Sequence, residues 1–318
     1  MEILIKFLVA AVGAGTPLLF GTVGEILTEK IGHLNLGVEG MMSIGACVGF
    51  MVGYYTDNFA LAILASAAAG AFSALIYAVL TVTFMANQNV TGLTLTIFGI
   101  GFANFIGIFI LNKTPEGTLK LPENITAAMR GISISGLSEL PVVGELLFSY
   151  SPFVYIGIII ACISAWYLNH TKAGLNLKAV GENPGAADAA GIKVTSVKYR
   201  NIILGGAICG IGGVYCSMII NGGVWISNNV GGLGWIAVAL VIFANWQPAY
   251  AILGSFVFGA LRVLKYYIPQ SVLPFPIAFY DMLPFLITAL VLVISSMRKS
   301  GRINLPAALG LNYFREER

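Results

Sequence analysis

The residues best suited to chemistry in this chain are polar side chains that interrupt long apolar segments. Asn35 and Glu39 are four residues apart and would share one face of a helix, and Asn104 lies in the middle of an apolar run. A polar or ionisable group in hydrocarbon is costly, so it usually faces a cavity or the interior of a helix bundle. The candidates for contact with a passing polar solute are Asn35, Glu39, Asn87, Gln88, Asn104, Trp225 and Trp235.

Five of these candidates also have a simpler interpretation. Asn35 and Glu39 could hydrogen-bond one helix to another, and Asn104 could serve packing alone. Trp225 and Trp235 could be anchors at the membrane–water interface, where tryptophan is enriched. The sequence leaves both interpretations open for these residues.

No pattern in the chain indicates catalysis or metal binding. No lysine directly follows a glycine, which excludes a Walker A phosphate loop, and neither HExxH nor GxSxG occurs. The acidic residues inside apolar segments, Glu25, Glu39 and Asp281, are far apart in sequence. The four cysteines lie in apolar segments without CxxC spacing, which predicts small buried side chains. We therefore expect no catalytic residue, no metal and no cofactor bound by this chain, which is not predicted to be an enzyme.

The elements that position these residues must lie in a membrane. Hydrophobic residues make up 58% of the chain and charged residues 10%, with a mean hydropathy of +0.87. Soluble domains contain roughly 25% charged residues. The net charge of +3 gives no basis for nucleic-acid binding. We predict an all-α polytopic membrane protein, a single transmembrane domain over residues 1–318 with about nine transmembrane helices, roughly eight to ten.

This count comes from nine apolar segments, most of them near the roughly 20 residues that cross a bilayer. They are 3–28, 34–55, 59–85, 90–111, 151–169, 201–221, 233–246, 248–267 and 277–297. The segment 233–246 is short and follows a glycine pair, so it could be a broken or half-crossing helix. Two stripes of small residues, Gly45/Gly49/Gly53 and Gly206/Gly210, suit close packing within one subunit or between two.

Lysine and arginine in the loops predict the orientation. The segment 171–200 and the tail 298–318 are basic, which places both in the cytoplasm. The 112–150 loop is slightly acidic and is predicted to be extracytoplasmic. With nine spans, the N-terminus then lies outside and residues 87–89 lie inside.

The most informative segment is GLNLKAVGENPGAADAAGIKV, residues 174–194, a polar insert between two apolar segments. Asn183 suits an N-cap, Pro184 suits the first helical position, and Gly191 suits the left-handed residue that follows a helix. A capped helix of about two turns between membrane spans predicts a docking site for another protein. A plain solvated turn is the alternative. The residues of this predicted coupling segment are Gly181, Glu182, Asn183, Pro184, Gly185, Ala186, Ala187, Asp188 and Gly191.

Several stretches carry a family resemblance. They are IGHLNLGVEGMMSIGA at 31–46, ANQNVTGLTLTIFGIG at 86–101, LKAVGENPGAADAAGIKV at 177–194, LGGAICGIGG at 204–213 and GWIAVALVIFANWQP at 234–248. In this order they resemble the permease subunits of nucleoside ABC importers that work with basic-membrane-protein-type lipoproteins. These belong to the simple-sugar and nucleoside branch of the branched-chain amino acid/ribose permease family.

The resemblance implies a multi-pass subunit of the bacterial cytoplasmic membrane that moves nucleosides inward through a pathway shared with a second permease, expected to be a different chain. It also implies that an ABC ATPase, which binds the ATP, docks on the coupling segment, and that a substrate-binding lipoprotein docks on the outer face. A ribose-type sugar permease is the alternative in cargo. An ion-coupled secondary transporter is an alternative of a different class, but it would usually carry inverted repeats, and the sequence shows no clear repeat. An intramembrane enzyme is a further alternative, but the sequence lacks the catalytic cluster that it would need.

Overall fold

The computed structural model describes residues 2–115, 117–129, 131, 143–268, 276–297 and 304–314. Parts of the predicted 112–150 loop and of the 298–318 tail thus lie outside the described residues. The helices in chain order are α1 (Glu2–Glu29), α2 (Val38–Thr56), α3 (Phe59–Ala78), α4 (Gln88–Leu111), α5 (Glu123–Ala128), α6 (Val143–Phe148), α7 (Pro152–His170), α8 (Lys172–Glu182), α9 (Pro184–Ala189), α10 (Val194–Tyr215), α11 (Leu233–Phe243), α12 (Pro248–Val263) and α13 (Ile277–Met297). A single π-helical turn extends α3 over Val79–Thr83 and α10 over Cys216–Ile220.

Six helical segments in the described part of the chain are long and apolar enough to cross a membrane. They are Glu2–Glu29, Phe59–Thr83, Gln88–Leu111, Pro152–His170, Val194–Ile220 and Pro248–Tyr266. The other three predicted spans correspond to α2, α11 and α13 and are not among these six; α11 is shorter, and the described apolar stretch of α13 is Ala278–Leu290. The prediction of an all-helical polytopic membrane protein is confirmed, whereas the count of about nine is not.

Glycines set the spacing of α2, α3 and α10 at the centre of the bundle. A Cβ atom on Gly45 would lie 2.5 Å from the Cα atom of Gly210, and one on Gly213 would lie 1.8 Å from the carbonyl oxygen of Met42. A Cβ atom on Gly206 would lie 2.2 Å from that of Ala74. Small residues allow helix backbones to approach this closely. Both glycine stripes therefore pack within this subunit.

Cys162 departs from the prediction of four buried cysteines. It is exposed on α7, whereas Cys47, Cys209 and Cys216 are buried. Only 33% of the apolar window of α7 is buried inside the bundle. Most of this helix therefore faces outward, and an apolar sequence context does not by itself place a side chain in the protein interior.

The two long connections contain more helix than the sequence predicts. The 171–200 segment holds α8 as well as α9, and α10 begins at Val194 instead of 201. Leu177 and Val180 of α8 are buried, so tertiary packing stabilises a helix that its glycines disfavour. The 112–150 segment contains α5 and α6 and lies against the residues after α10, where the Trp225 N–H donates to the Leu119 carbonyl at 2.9 Å.

Candidate functional site

The short helix α9 has the capped form that its sequence predicts. The side-chain oxygen of Asn183 accepts the Ala186 N–H at 2.9 Å, and Pro184 occupies the first turn. Gly191 adopts a φ of +84°, in the left-handed region. The Gly191 N–H donates to the Asp188 carbonyl at 2.9 Å, and the next N–H, of Ile192, donates to the Ala187 carbonyl at 3.0 Å. This is a Schellman motif, so both helix ends are closed by local hydrogen bonds.

Only part of the coupling segment, which includes α9, is accessible to a partner. Ala187 is 3% exposed and packs with Val180 and Val194, so it anchors α9 to the rest of the subunit. Gly181 is buried as well, since a Cβ atom there would lie 2.0 Å from the Lys30 carbonyl oxygen. These two residues of the predicted coupling segment cannot form a docking surface. Pro184, Gly185 and Asp188 are half-buried, and the exposed residues are Glu182, Asn183, Ala186, Ala189, Ala190 and Gly191.

Residues 304–313 cross this end of the bundle and bind the coupling segment; we call them the strap. The Tyr313 hydroxyl donates to Oδ2 of Asp188 at 2.8 Å. The Ala307 N–H donates to Oε2 of Glu182 at 3.3 Å. The Asp188 carboxylate and one Glu182 oxygen, expected to contact a partner, therefore already bind the subunit's own chain. Nothing local in the sequence indicates these pairings, which join residues 125 apart.

The strap also holds the ends of membrane helices. The Asn312 amide donates to the Met85 carbonyl at 2.7 Å, and the Gln88 amide donates to Oδ1 of Asn312 at 3.1 Å. The Lys30 ammonium donates to the Asn304 carbonyl at 2.7 Å. Burial lowers the pKa of Lys30 to about 8, and the nearby Lys178 charge acts in the same direction. The strap thus links α9 to the starts and ends of several membrane helices.

A carboxylate inside the bundle accepts hydrogen bonds from the backbone at the start of α11. Glu39 is buried, and its Oε1 accepts the Gly232 N–H at 2.8 Å while its Oε2 accepts the Gly234 N–H at 2.6 Å. These N–H groups lie at a helix N-terminus, where the partial positive charge favours an anion. The 11 residues of α11 span about 16 Å, roughly half of the hydrocarbon core. α11 is therefore a half-crossing helix that begins inside the bundle.

The residues that lead into α11 form a non-helical descent, residues 221–232, which we call the re-entrant segment. Trp225 packs on α4 at Gly107, where a Cβ atom would lie 1.9 Å from its indole nitrogen. Further along, the Asn228 N–H donates to Oδ1 of Asn104 at 2.8 Å. The segment then reaches the level of Glu39. It follows α4 inward from one end of the bundle, so irregular backbone lies at membrane depth.

The predicted solute contacts separate into two groups. Asn35 is 1% exposed, and its side chain donates to Glu25 at 3.1 Å and accepts the Gly37 N–H at 2.9 Å. Glu39 caps α11, and Trp225 is 6% exposed. The arrangement of these three residues favours the structural interpretation. It links elements within the subunit and leaves little surface for a solute.

The remaining candidates are more accessible or lie at the strap end. Asn104 holds Asn228, and Trp235 is 36% exposed. Asn87 caps α4 through the Val90 N–H at 3.0 Å, and the buried Gln88 accepts the Leu34 N–H at 2.8 Å. Sequence reasoning missed the exposed re-entrant residues beside Asn104 and Trp235. They are Ile226, Ser227 and Gly231.

Most of the chain matches a known family. Among the residues described, no three His, Cys, Asp or Glu side chains come together as a metal site. Residues 7–292 match the family described as "branched-chain amino acid transport system / permease component". The chain belongs to this family. It is an integral membrane protein and the permease component of an ABC transport system, which includes an ATPase and a partner permease, and it is not an enzyme.

Relatives of this permease include proteins named for two kinds of cargo. The nucleoside ABC transporter permease protein NupC of Lactococcus lactis is 33% identical over 95% of this chain and 94% of its own. The guanosine permease NupQ of Bacillus subtilis is 32% identical over 100% and 99%. TsgC13 of Haloferax volcanii, a permease protein named for glucose, is 35% identical over 80% and 75%. A second permease protein from each organism also matches, at 22% to 26% identity. No solved structure matches this chain.

Proposed function

We propose that this permease moves nucleosides inward. The observation that carries the proposal is the full-length similarity to two permeases named for nucleosides and guanosine, which extends over the re-entrant segment and α9. The similarity to TsgC13 is higher in identity but covers less of the chain, so glucose is the second candidate cargo.

The cargo pathway, on this proposal, runs along the exposed side of the re-entrant segment. Non-helical backbone at membrane depth is tolerated where it is buried in protein or faces water, and it does not face lipid. The exposed residues Ser227, Asn228 and Trp235 lie on that side. A nucleoside has a flat base and several hydroxyl groups. An aromatic face and an amide suit these two features.

The working transporter, on the same proposal, is an assembly. A second, non-identical permease completes the pathway, as the pairs of permease proteins in each related organism suggest. The ATPase binds the exposed residues of α9 and holds the ATP, and this chain binds no cofactor. A lipoprotein delivers cargo at the opposite end. With α2, α11 and α13 counted, about nine helices make up the transmembrane domain.

The cargo is tested by competition for uptake. In cells that carry the complete transporter as their route for nucleosides, we expect unlabelled guanosine or adenosine to block uptake of labelled guanosine. We expect an equal excess of glucose or ribose to leave it unchanged, because neither sugar has a base to stack on Trp235. If glucose competes as strongly as unlabelled guanosine, glucose replaces nucleosides as the cargo.

The proposed orientation places the 112–150 loop outside and the 171–200 segment and 298–318 tail in the cytoplasm. Ala127 on α5 and Ala189 on α9 are exposed at opposite ends of the bundle. In a Cys162→Ser background, which removes the exposed native thiol, a membrane-impermeant thiol reagent on intact cells should label Ala127→Cys and leave Ala189→Cys unlabelled. Lysed cells serve as the control, in which both should react. Labelling of Ala189→Cys in intact cells would invert the topology.

A further inference from the structure

Lys198, in the second turn of α10, is buried although it carries an ammonium group. It is 4% exposed. None of the described residues forms a hydrogen bond or an ion pair with it. The nearby His33 supplies no negative charge, and burial, together with the charge of Lys198, holds the pKa of this imidazole well below its usual value. Because an unpaired buried charge is expensive, buried charges in proteins are normally paired.

Lys198 lines a cavity of about 500 Å³ between α9, α10, the π-helical turn after α3 and the strap. The polar and charged side chains of the lining are Thr81, Asp188, Lys193, Thr195, Lys198 and Tyr313. Among the described lining residues, Asp188 is the one acidic side chain, and its carboxylate accepts the Tyr313 hydroxyl at 2.8 Å. With two lysines and one aspartate, the described part of the lining carries a net positive charge. A cavity of this size can hold a small organic ligand.

The amino-terminal end of α10 lies in the same lining. This helix has 22 residues, and its N-cap residue, Lys193, makes no side-chain capping bond. Val194 and Thr195, the first two helical residues, both line the cavity. The first N–H groups of a helix have no partner within the helix and carry partial positive charge, so they bind phosphate and other anions well.

We propose that this cavity binds a phosphate group, held between the Lys198 ammonium and the amino-terminal N–H groups of α10. A phosphate would give the buried ammonium a counter-charge and the free N–H groups an acceptor. The group could come from a phosphorylated small molecule or from an anionic lipid headgroup, since the cavity lies at an end of the membrane helices. The site is separate from the re-entrant segment, and it does not depend on which cargo the transporter carries.

Its position beside α9 gives the site a role in coupling on this proposal. Asp188 and Gly191 of the coupling segment and Tyr313 of the strap line the cavity with Lys198. A phosphate bound between them would change how firmly α9 is held against α10. Occupancy would therefore adjust the docking helix directly, without contact with the cargo.

The test uses the complete transporter in nanodiscs of neutral lipid, with glycerol 3-phosphate as the probe and glycerol as the uncharged control. We expect glycerol 3-phosphate, and not glycerol, to raise the melting temperature. Lys198→Gln should raise the glycerol 3-phosphate concentration needed for this stabilisation at least about tenfold, because it removes the ammonium that would bind the phosphate. Lys172→Gln, an equal charge change at an exposed lysine outside the cavity, should leave it intact. The ATPase is the same in every sample, so phosphate bound there does not distinguish the variants.

A second arm replaces part of the neutral lipid with phosphatidic acid. Stabilisation that needs phosphatidic acid, and that Lys198→Gln removes, assigns the phosphate to a lipid headgroup. If Lys198→Gln does not assemble, Lys193→Gln at the exposed rim should weaken the probe effect several-fold. The proposal is overturned if neither probe stabilises the parent, or if Lys172→Gln removes the effect as fully as the cavity variants do. Guanosine uptake, measured separately, tests the proposed cargo without bearing on this site.

Discussion

Replacing Glu39 with alanine should lower the free energy of unfolding by about 2–6 kcal/mol and abolish transport. The substitution leaves the Gly232 and Gly234 N–H groups without their acceptor, and each unsatisfied buried donor costs about 1–3 kcal/mol. Water cannot easily replace the carboxylate, because Glu39 is 2% exposed. The measurement is the unfolding midpoint of the purified transporter, alongside uptake in cells.

Two variants make the Glu39 experiment specific. Glu39→Gln keeps one acceptor oxygen and should lose less stability than Glu39→Ala. Glu182→Ala removes an exposed carboxylate that accepts a single long bond of 3.3 Å, so its unfolding midpoint should stay near that of the parent. An unchanged midpoint for Glu39→Ala would show that the carboxylate is not what holds the start of α11.

Replacing Gly191 with valine should separate ATP hydrolysis from uptake. The residue has a φ of +84°, which costs an ordinary L-residue about 1–2 kcal/mol and a β-branched one more. No atom crowds the position, so the strain is conformational and falls on the carboxyl end of α9. We expect the ATPase to co-purify less well and uptake to fall by about tenfold or more, since about 1.4 kcal/mol corresponds to a factor of ten.

The matched control for Gly191 is Gly117 in the 112–150 segment. Gly117 has a φ of +63° and also has no atom within 4 Å of a built Cβ, so valine there introduces similar strain at the other end of the bundle. Gly117→Val should leave co-purification of the ATPase intact. If both variants lose the ATPase equally, general instability explains the result, and the proposed docking on α9 is contradicted.

Local features of the fold could be predicted from the sequence, because their causes lie within a few residues. The caps of α9 follow from Asn183, Pro184 and Gly191, and the structure has the helix end within a residue of the expected position. The glycines before α11 likewise pointed to a broken helix. Helix α8 was missed because its stability comes from burial of Leu177 and Val180, which a polar, glycine-containing segment does not reveal.

Long-range pairings could not be predicted in the same way. The sequence identified Glu39 as a notable buried acid, but its partners lie 193 and 195 residues away. Lys198 is one of the basic residues of the 171–200 segment that predict its orientation, and only packing around the start of α10 shows that it is buried. The strap gave no signal beyond its basic flank, because its hydrogen bonds to the coupling segment join residues that are distant in sequence.

The strap also connects α9, through α4, to the re-entrant segment. Asp188 binds Tyr313, the adjacent Asn312 binds Gln88, and Gln88 is the first residue of α4. A displacement of α9 would thus be passed through these four side chains to α4, a helix of 24 residues that is about 36 Å long. Asn104 lies about 24 Å along this helix, and its side chain accepts a hydrogen bond from the Asn228 N–H of the re-entrant segment. On the proposal that the ATPase binds α9, a displacement of α9 would therefore be passed along α4 to its contact with the re-entrant segment.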